Sequence, residues 1–174
     1  MGKLDTFKID LKGLSTENAC FEFSLDKAYF DAIGSEDLKG GDLHTTLQVR
    51  KVAGDFEFSF HTEGVVTVTC DLCLDDMSLP IATDNKLVAR LGDEFDDNDE
   101  YIVIPADEGI LDVAWLIYEF VALAVPMRHV HEEGQCNPDM IRRIEQLVVD
   151  SSDDDEAVDP RWNELKKLKS TIKE

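Results

Sequence analysis

Apolar and polar positions alternate along much of the first two-thirds of the chain, and then the period changes. Leu4, Phe7, Ile9 and Leu11 outline one strand, and Cys20, Phe21, Phe23 and Leu25 a second. The alternation is clearest at Leu43, Thr45, Leu47 and Val49, then at Phe56, Phe58 and Phe60, then at Val66, Val68 and Cys70. Gly40-Gly41, Gly54-Asp55 and Glu63-Gly64 fall between these runs as turn signals. The three segments therefore predict an antiparallel meander whose apolar face must be covered. Lys86 to Leu91 and Tyr101 to Ile104 are further short strand candidates, on either side of an acidic loop from Asp93 to Glu100.

Val113, Leu116, Ile117, Phe120, Val121 and Ala124 then recur at helical spacing. Asp112 stands where a cap is needed and Pro126 where the helix must stop. This stretch, the most apolar in the chain, predicts a buried helix laid across the sheet. Asn137 and Pro138 open a second helix with Ile141, Ile144, Leu147 and Val148 on one side. Asp159 and Pro160 open a third, with Trp162, Leu165, Leu168 and Ile172 in a stripe. The fold class expected is α+β: an antiparallel sheet, barrel-like if it curls far enough, covered by a long helix, with two further helices toward the C-terminus. Residues 1–149 form the α+β domain, 150–159 an acidic linker with six acids and no base, and 160–174 a basic amphipathic helix.

Composition narrows the function. The 174 residues carry a formal charge of −21, which repels phosphate backbones and anionic membranes and favours basic protein partners. Neither a membrane nor DNA is expected as a partner. No apolar run approaches the roughly 18–20 residues that span a bilayer. The opening Met-Gly-Lys-Leu-Asp-Thr alternates charge without leading into an apolar stretch, so a secretory leader is not expected. Cys20, Cys70, Cys73 and Cys136 are accordingly expected as thiols in the cytoplasm.

Chemistry concentrates in one pattern. Cys70-Asp-Leu-Cys73 closes the third run of the meander, and two thiolates at this spacing are the usual half-site of structural zinc. Past the long helix, His129-Val-His131 and Cys136 can supply the other half. Cys70, Cys73, Cys136 and one of the two histidines would make a closed tetrahedral site with no open position for water. The competing reading makes the cysteines small packed hydrophobes and the histidines a solvated pair. A redox role is disfavoured because the pair follows a strand and because Asp71, Asp75 and Asp76 are expected to raise a thiol pKa. The sequence has no phosphate-cradling glycine loop, nucleophile elbow or His-Glu-x-x-His helix, so an enzyme is not expected.

Three segments together resemble a known family. Gly64-Val-Val-Thr-Val-Thr-Cys70-Asp-Leu-Cys73-Leu74 is similar to the strand and Cys-x-Arg-Cys-Leu motif of YceD-type proteins, the large ribosomal RNA subunit accumulation family. Leu111-Asp112, Glu119 and Leu123-Ala-Val-Pro126 resemble that family's helix, and Asp159-Pro-Arg161-Trp-Asn-Glu-Leu165-Lys-Lys-Leu168 its C-terminal motif. Leu72 replaces the family's arginine, so no basic role carries over to that position. His129, His131 and Cys136 stand where many members have a cysteine-rich segment.

The resemblance implies a non-enzymatic role in synthesis, processing or accumulation of large-subunit ribosomal RNA. Joined to the charge, it implies a ribosomal precursor or ribosomal RNA as partner, reached through a basic ribosomal protein. Arg161, Lys166, Lys167 and Lys169 are candidate contacts to RNA or partner. A second reading is an acidic chaperone-like module that binds one basic protein without RNA. A third, a zinc hydrolase, is weakest because every candidate ligand fits a closed site.

Overall fold

The computed structural model describes residues 4–14, 18–34, 37–97 and 101–148; the acidic linker, the third helix and the four tail bases lie outside them. The chain divides into two units, Met1–Cys136 and Asn137–Glu174. In the first unit, strands β1 (Lys8–Asp10), β2 (Asn18–Leu25), β3 (Gly40–Val52), β4 (Asp55–Thr69), β5 (Asp76–Gly92), β6 (Asp96–Asp97), β7 (Ile102–Pro105) and β8 (Ile110–Asp112) join helices α1 (Lys27–Ile33) and α2 (Ala114–Ala124). β1 and β8 pair as a small ribbon, and the rest form a six-stranded sheet in the order β2-β3-β4-β5-β7-β6.

The alternation in the sequence is what builds this sheet. Along β3 and β4, Leu43, Thr45, Leu47, Val49, Phe56, Phe58, Phe60, Thr62, Val66 and Val68 are all buried. Ala53 and Gly54, both at positive φ (52° and 101°), make the two-residue turn between the strands. Thr45 lies opposite Thr62 in register, and their hydroxyls, 2.8 Å apart, satisfy each other inside the core.

Three details differ from the sequence reading. Glu63-Gly64 is not a turn, because β4 runs straight through it. Gly64 has φ 145°, and a Cβ there would lie 2.3 Å from the Asp42 carbonyl oxygen and 2.6 Å from the Leu43 Cα. The glycine marks a close approach of two strands, not a reversal. The sheet also does not close into a barrel. β7 returns parallel to β5, and β6, two aspartates long, finishes the edge instead of reaching β2. Finally, the helix expected to be long has 11 residues. Leu111 and Asp112 are committed to pairing with β1, so it starts later, and Pro126 limits its end.

α2 nevertheless does what its pattern predicts. Asp112 Oδ1 accepts from Ala114 N at 3.0 Å, and Ala114, Ile117, Tyr118 and Val121 are buried. The Phe120 ring meets Phe60 of β4 edge-on at 5.2 Å. α1 was not expected from the sequence. Asp26 caps it through Tyr29 N at 3.0 Å, and Gly34 ends it at φ 76°. The buried Tyr29 hydroxyl donates to Ala114 O at 2.7 Å, and burial raises its pKa far above the phenol range. Tyr29→Phe would remove this second bond to a carbonyl in the first turn of α2, with an expected loss of about 1 kcal/mol in urea unfolding.

In the second unit, α3 (Pro138–Leu147) forms where Asn137 and Pro138 predict it, with Asn137 Oδ1 accepting from Asp139 N at 3.0 Å. Among the described residues, no helix is long and apolar enough to cross a membrane.

Candidate metal centre

The Cys-x-x-Cys segment is itself the turn of the longest hairpin. β4 ends at Thr69 and β5 begins at Asp76, with Thr69 and Asp76 paired in register. Between them Cys70 N donates to Asp75 O at 2.8 Å and Leu74 N to Cys70 O at 3.0 Å. This tight loop turns both sulfurs to one side and buries both cysteines. Leu74 completes it in the left-handed region, φ 63°.

The second half arrives in the segment that follows α2. Asp71 and His129 clasp the two halves: Asp71 N donates to His129 O at 2.9 Å, and His129 N donates to Asp71 Oδ2 at 2.7 Å. The His129 ring is held by the Pro126 carbonyl at 2.9 Å from Nδ1, with Nε2 3.7 Å from Asp71. It positions the loop. His131 and Cys136 face the cysteine pair. His131 Nδ1 lies 3.3 Å from Cys73 Sγ and 3.9 Å from Cys136 Sγ, and the sulfurs of Cys70 and Cys136 are 4.0 Å apart.

All four candidate ligand atoms lie within 4.8 Å of one another. A tetrahedron with metal–sulfur bonds of about 2.3 Å has edges of roughly 3.5–3.8 Å, so the group is of the right size for one zinc ion. Of the five residues that the sequence proposed, the structure brings four together and gives the choice between histidines to His131.

The electrostatics suit a cation. Burial pushes the Cys70 thiol up, but backbone N–H groups of Cys73, Leu72 and His131 aimed at its sulfur outweigh this and bring it down to about 6. This reverses the expectation that neighbouring aspartates would raise it. Backbone dipoles touch the sulfur, whereas the carboxylates of Asp71, Asp75 and Asp76 are exposed to solvent. Cys136 is pushed up to about 11, first by desolvation and then by the Cys70 and Cys73 sulfurs facing it. Negative charge crowding between sulfurs is what a bound divalent ion relieves. Three thiolates and an imidazole, with backbone N–H groups directed at sulfur, make a donor set suited to a structural zinc site.

The sequence held no sign of the Asp71–His129 clasp, because an aspartate inside a cysteine pair has no characteristic partner. Cys20, the remaining cysteine, is exposed on β2 and away from this group.

An α+β domain that gathers three cysteines and a histidine between a hairpin turn and a distant loop is thus the class of protein defined by fold and site. Residues 58–169 match the family described as "Large ribosomal RNA subunit accumulation protein YceD", and the chain belongs to that family. No curated protein and no solved structure matches it.

Proposed function

We propose that this chain is a non-enzymatic factor that supports synthesis, processing or accumulation of large-subunit ribosomal RNA in the cytoplasm. The observation that carries the reading is the family match over more than half of the chain, from Phe58 near the start of β4 through the tail bases. The zinc we assign to Cys70, Cys73, His131 and Cys136 is structural: it fixes the β4–β5 turn against the loop after α2 and offers no open position for a reacting water. A formal charge of −21 favours contact with ribosomal precursors through a basic ribosomal protein. Arg161, Lys166, Lys167 and Lys169 supply the local positive charge for a phosphate contact.

Sedimentation of a tagged chain from growing cells, with and without RNase, tests this. Migration with large-subunit precursors that RNase abolishes is the expected result. A small complex indifferent to RNase would replace the reading with the second one, an acidic module holding one basic protein without RNA. Changing the four tail bases to Gln is expected to weaken the precursor association, and unchanged association would remove the tail from the proposal.

A further inference from the structure

Beside the metal centre a groove of about 510 Å³ runs between the hairpin turn and the end of α2. Its lining is about half apolar, from Leu38, Val68, Leu74, Ala122 and Val125, and the rest includes Asp37, Thr69, Asp71 and His129. Leu74 is 63% exposed there and sits at φ 63°. A non-glycine side chain in that region strains the backbone, which glycine avoids and asparagine reduces. The fold therefore holds an exposed leucine where a smaller or polar residue would fit the backbone better. The same turn and helix end also expose Leu72, Leu123 and Met127.

The charge around the groove selects its occupant. The turn adds Asp75 and Asp76 to Asp37 and Asp71; of the nearby bases, Lys39 is paired with Asp76, and Arg128 is exposed on the following loop. We propose that this groove docks a segment of a basic protein, with an aliphatic or aromatic side chain seated against Leu74 and flanking lysines or arginines facing the aspartates. An acidic rim repels phosphate, so RNA is the disfavoured occupant. Cys70 lines the groove and Asp71 ties one wall to the other through His129, so the Asp71–His129 clasp also sets the groove's width. The proposal rests on the reading above that the chain acts through a basic partner, and it names the surface that does so.

The test uses the full-length, zinc-loaded chain. An array of overlapping 15-residue peptides from basic large-subunit ribosomal proteins is scanned, and the best binder is then measured by fluorescence anisotropy. Binders are expected to combine Lys or Arg with Leu, Ile or Phe. Leu74→Asn is expected to weaken the best one about tenfold, with zinc content unchanged and melting temperature unchanged or raised. Phe95→Asn, which removes a side chain of similar exposure away from the groove, should leave binding intact. Equal loss from both variants, or no loss from Leu74→Asn, overturns the proposal. So does a labelled oligouridine that binds and is weakened by Leu74→Asn. If the wild-type chain co-sediments with precursors while Leu74→Asn leaves peptide binding unchanged, the groove fails and the functional reading stands. If peptides bind through Leu74 but nothing co-sediments, the groove stands and that reading fails.

Discussion

Cys70→Ser is expected to abolish stoichiometric zinc, from about one ion per chain to none, in metal analysis of protein purified without chelator. Cys70 is central because its sulfur lies against Cys136 and receives the backbone N–H groups of both halves of the site. Serine binds zinc far less well, and three remaining ligands hold an ion weakly. The sheet has its own core, so the variant should keep its strand content by circular dichroism. The damage should fall on the turn at 70–75 and the loop from Pro126 to Cys136, which a zinc ion on these four residues would fasten together. With metal at roughly a thousand times its dissociation constant, binding adds about 4 kcal/mol. Chelation of the wild-type protein should therefore lower its melting temperature by roughly 10 °C.

Zinc affinity should also fall as pH falls. Cys136, protonated at neutral pH without metal, must release a proton to bind; below about 6 Cys70 must release one too. A metal-free wild-type preparation whose melting is indifferent to added zinc would refute the site.

Gly64→Ala is expected to destabilise the fold by about 3 kcal/mol or more. Two terms add. The backbone sits at φ 145°, which alanine adopts poorly, and the new methyl would press on backbone atoms of Asp42 and Leu43 that cannot rotate away. Relief requires β3 and β4 to separate near the pair Leu43–Gly64, inside their continuous ladder a few pairs from its open end. Leu43 is buried there, so the opening also loosens packing. A urea titration of the variant measures the loss, and a value under about 1 kcal/mol would mean the strands have slack at this point. Because β4 leads directly into Cys70, the variant should also bind zinc less tightly, an effect a surface alanine elsewhere would lack.

Gly64 also marks where the sequence could be misread. A glycine after a glutamate, between two alternating runs, has the same local signature whether the chain reverses or passes close to a neighbour. Only the partner strand distinguishes the two, and the partner lies some twenty residues upstream in β3. The parallel seating of β7 on β5 was equally hidden, because four residues alternating Ile102-Val-Ile-Pro105 carry no sign of strand direction. α1 left a fainter trace: Asp26 three residues before Tyr29, and Gly34 beyond Ile33, are cap signals around only seven residues.

What was legible depended on short spacing or strong periodicity. The buried residues of β3 and β4, the apolar face of α2 and the Asn137 cap all follow from local pattern. The metal centre was half local: Cys70 and Cys73 declare themselves, but the choice of His131 over His129 required Asp71 to claim His129. The groove was not legible, since its walls come from three separate stretches of chain.

That division between near and far residues also bears on the order in which the site can be made. The β4–β5 hairpin pairs neighbouring segments, whereas Cys73 and His131 are 58 positions apart. Contacts between neighbours close fastest because little chain entropy is lost in forming them. During synthesis, the turn with its two thiols can be complete while residues 131–136 are still unmade, leaving a half-built chelate exposed to the surrounding metal pool. The last ligands lie beyond α2 in the chain, so they can join only after that helix has been made. Occupied zinc would then report that the domain has finished folding, and a chain stalled before that point would carry its thiols uncapped.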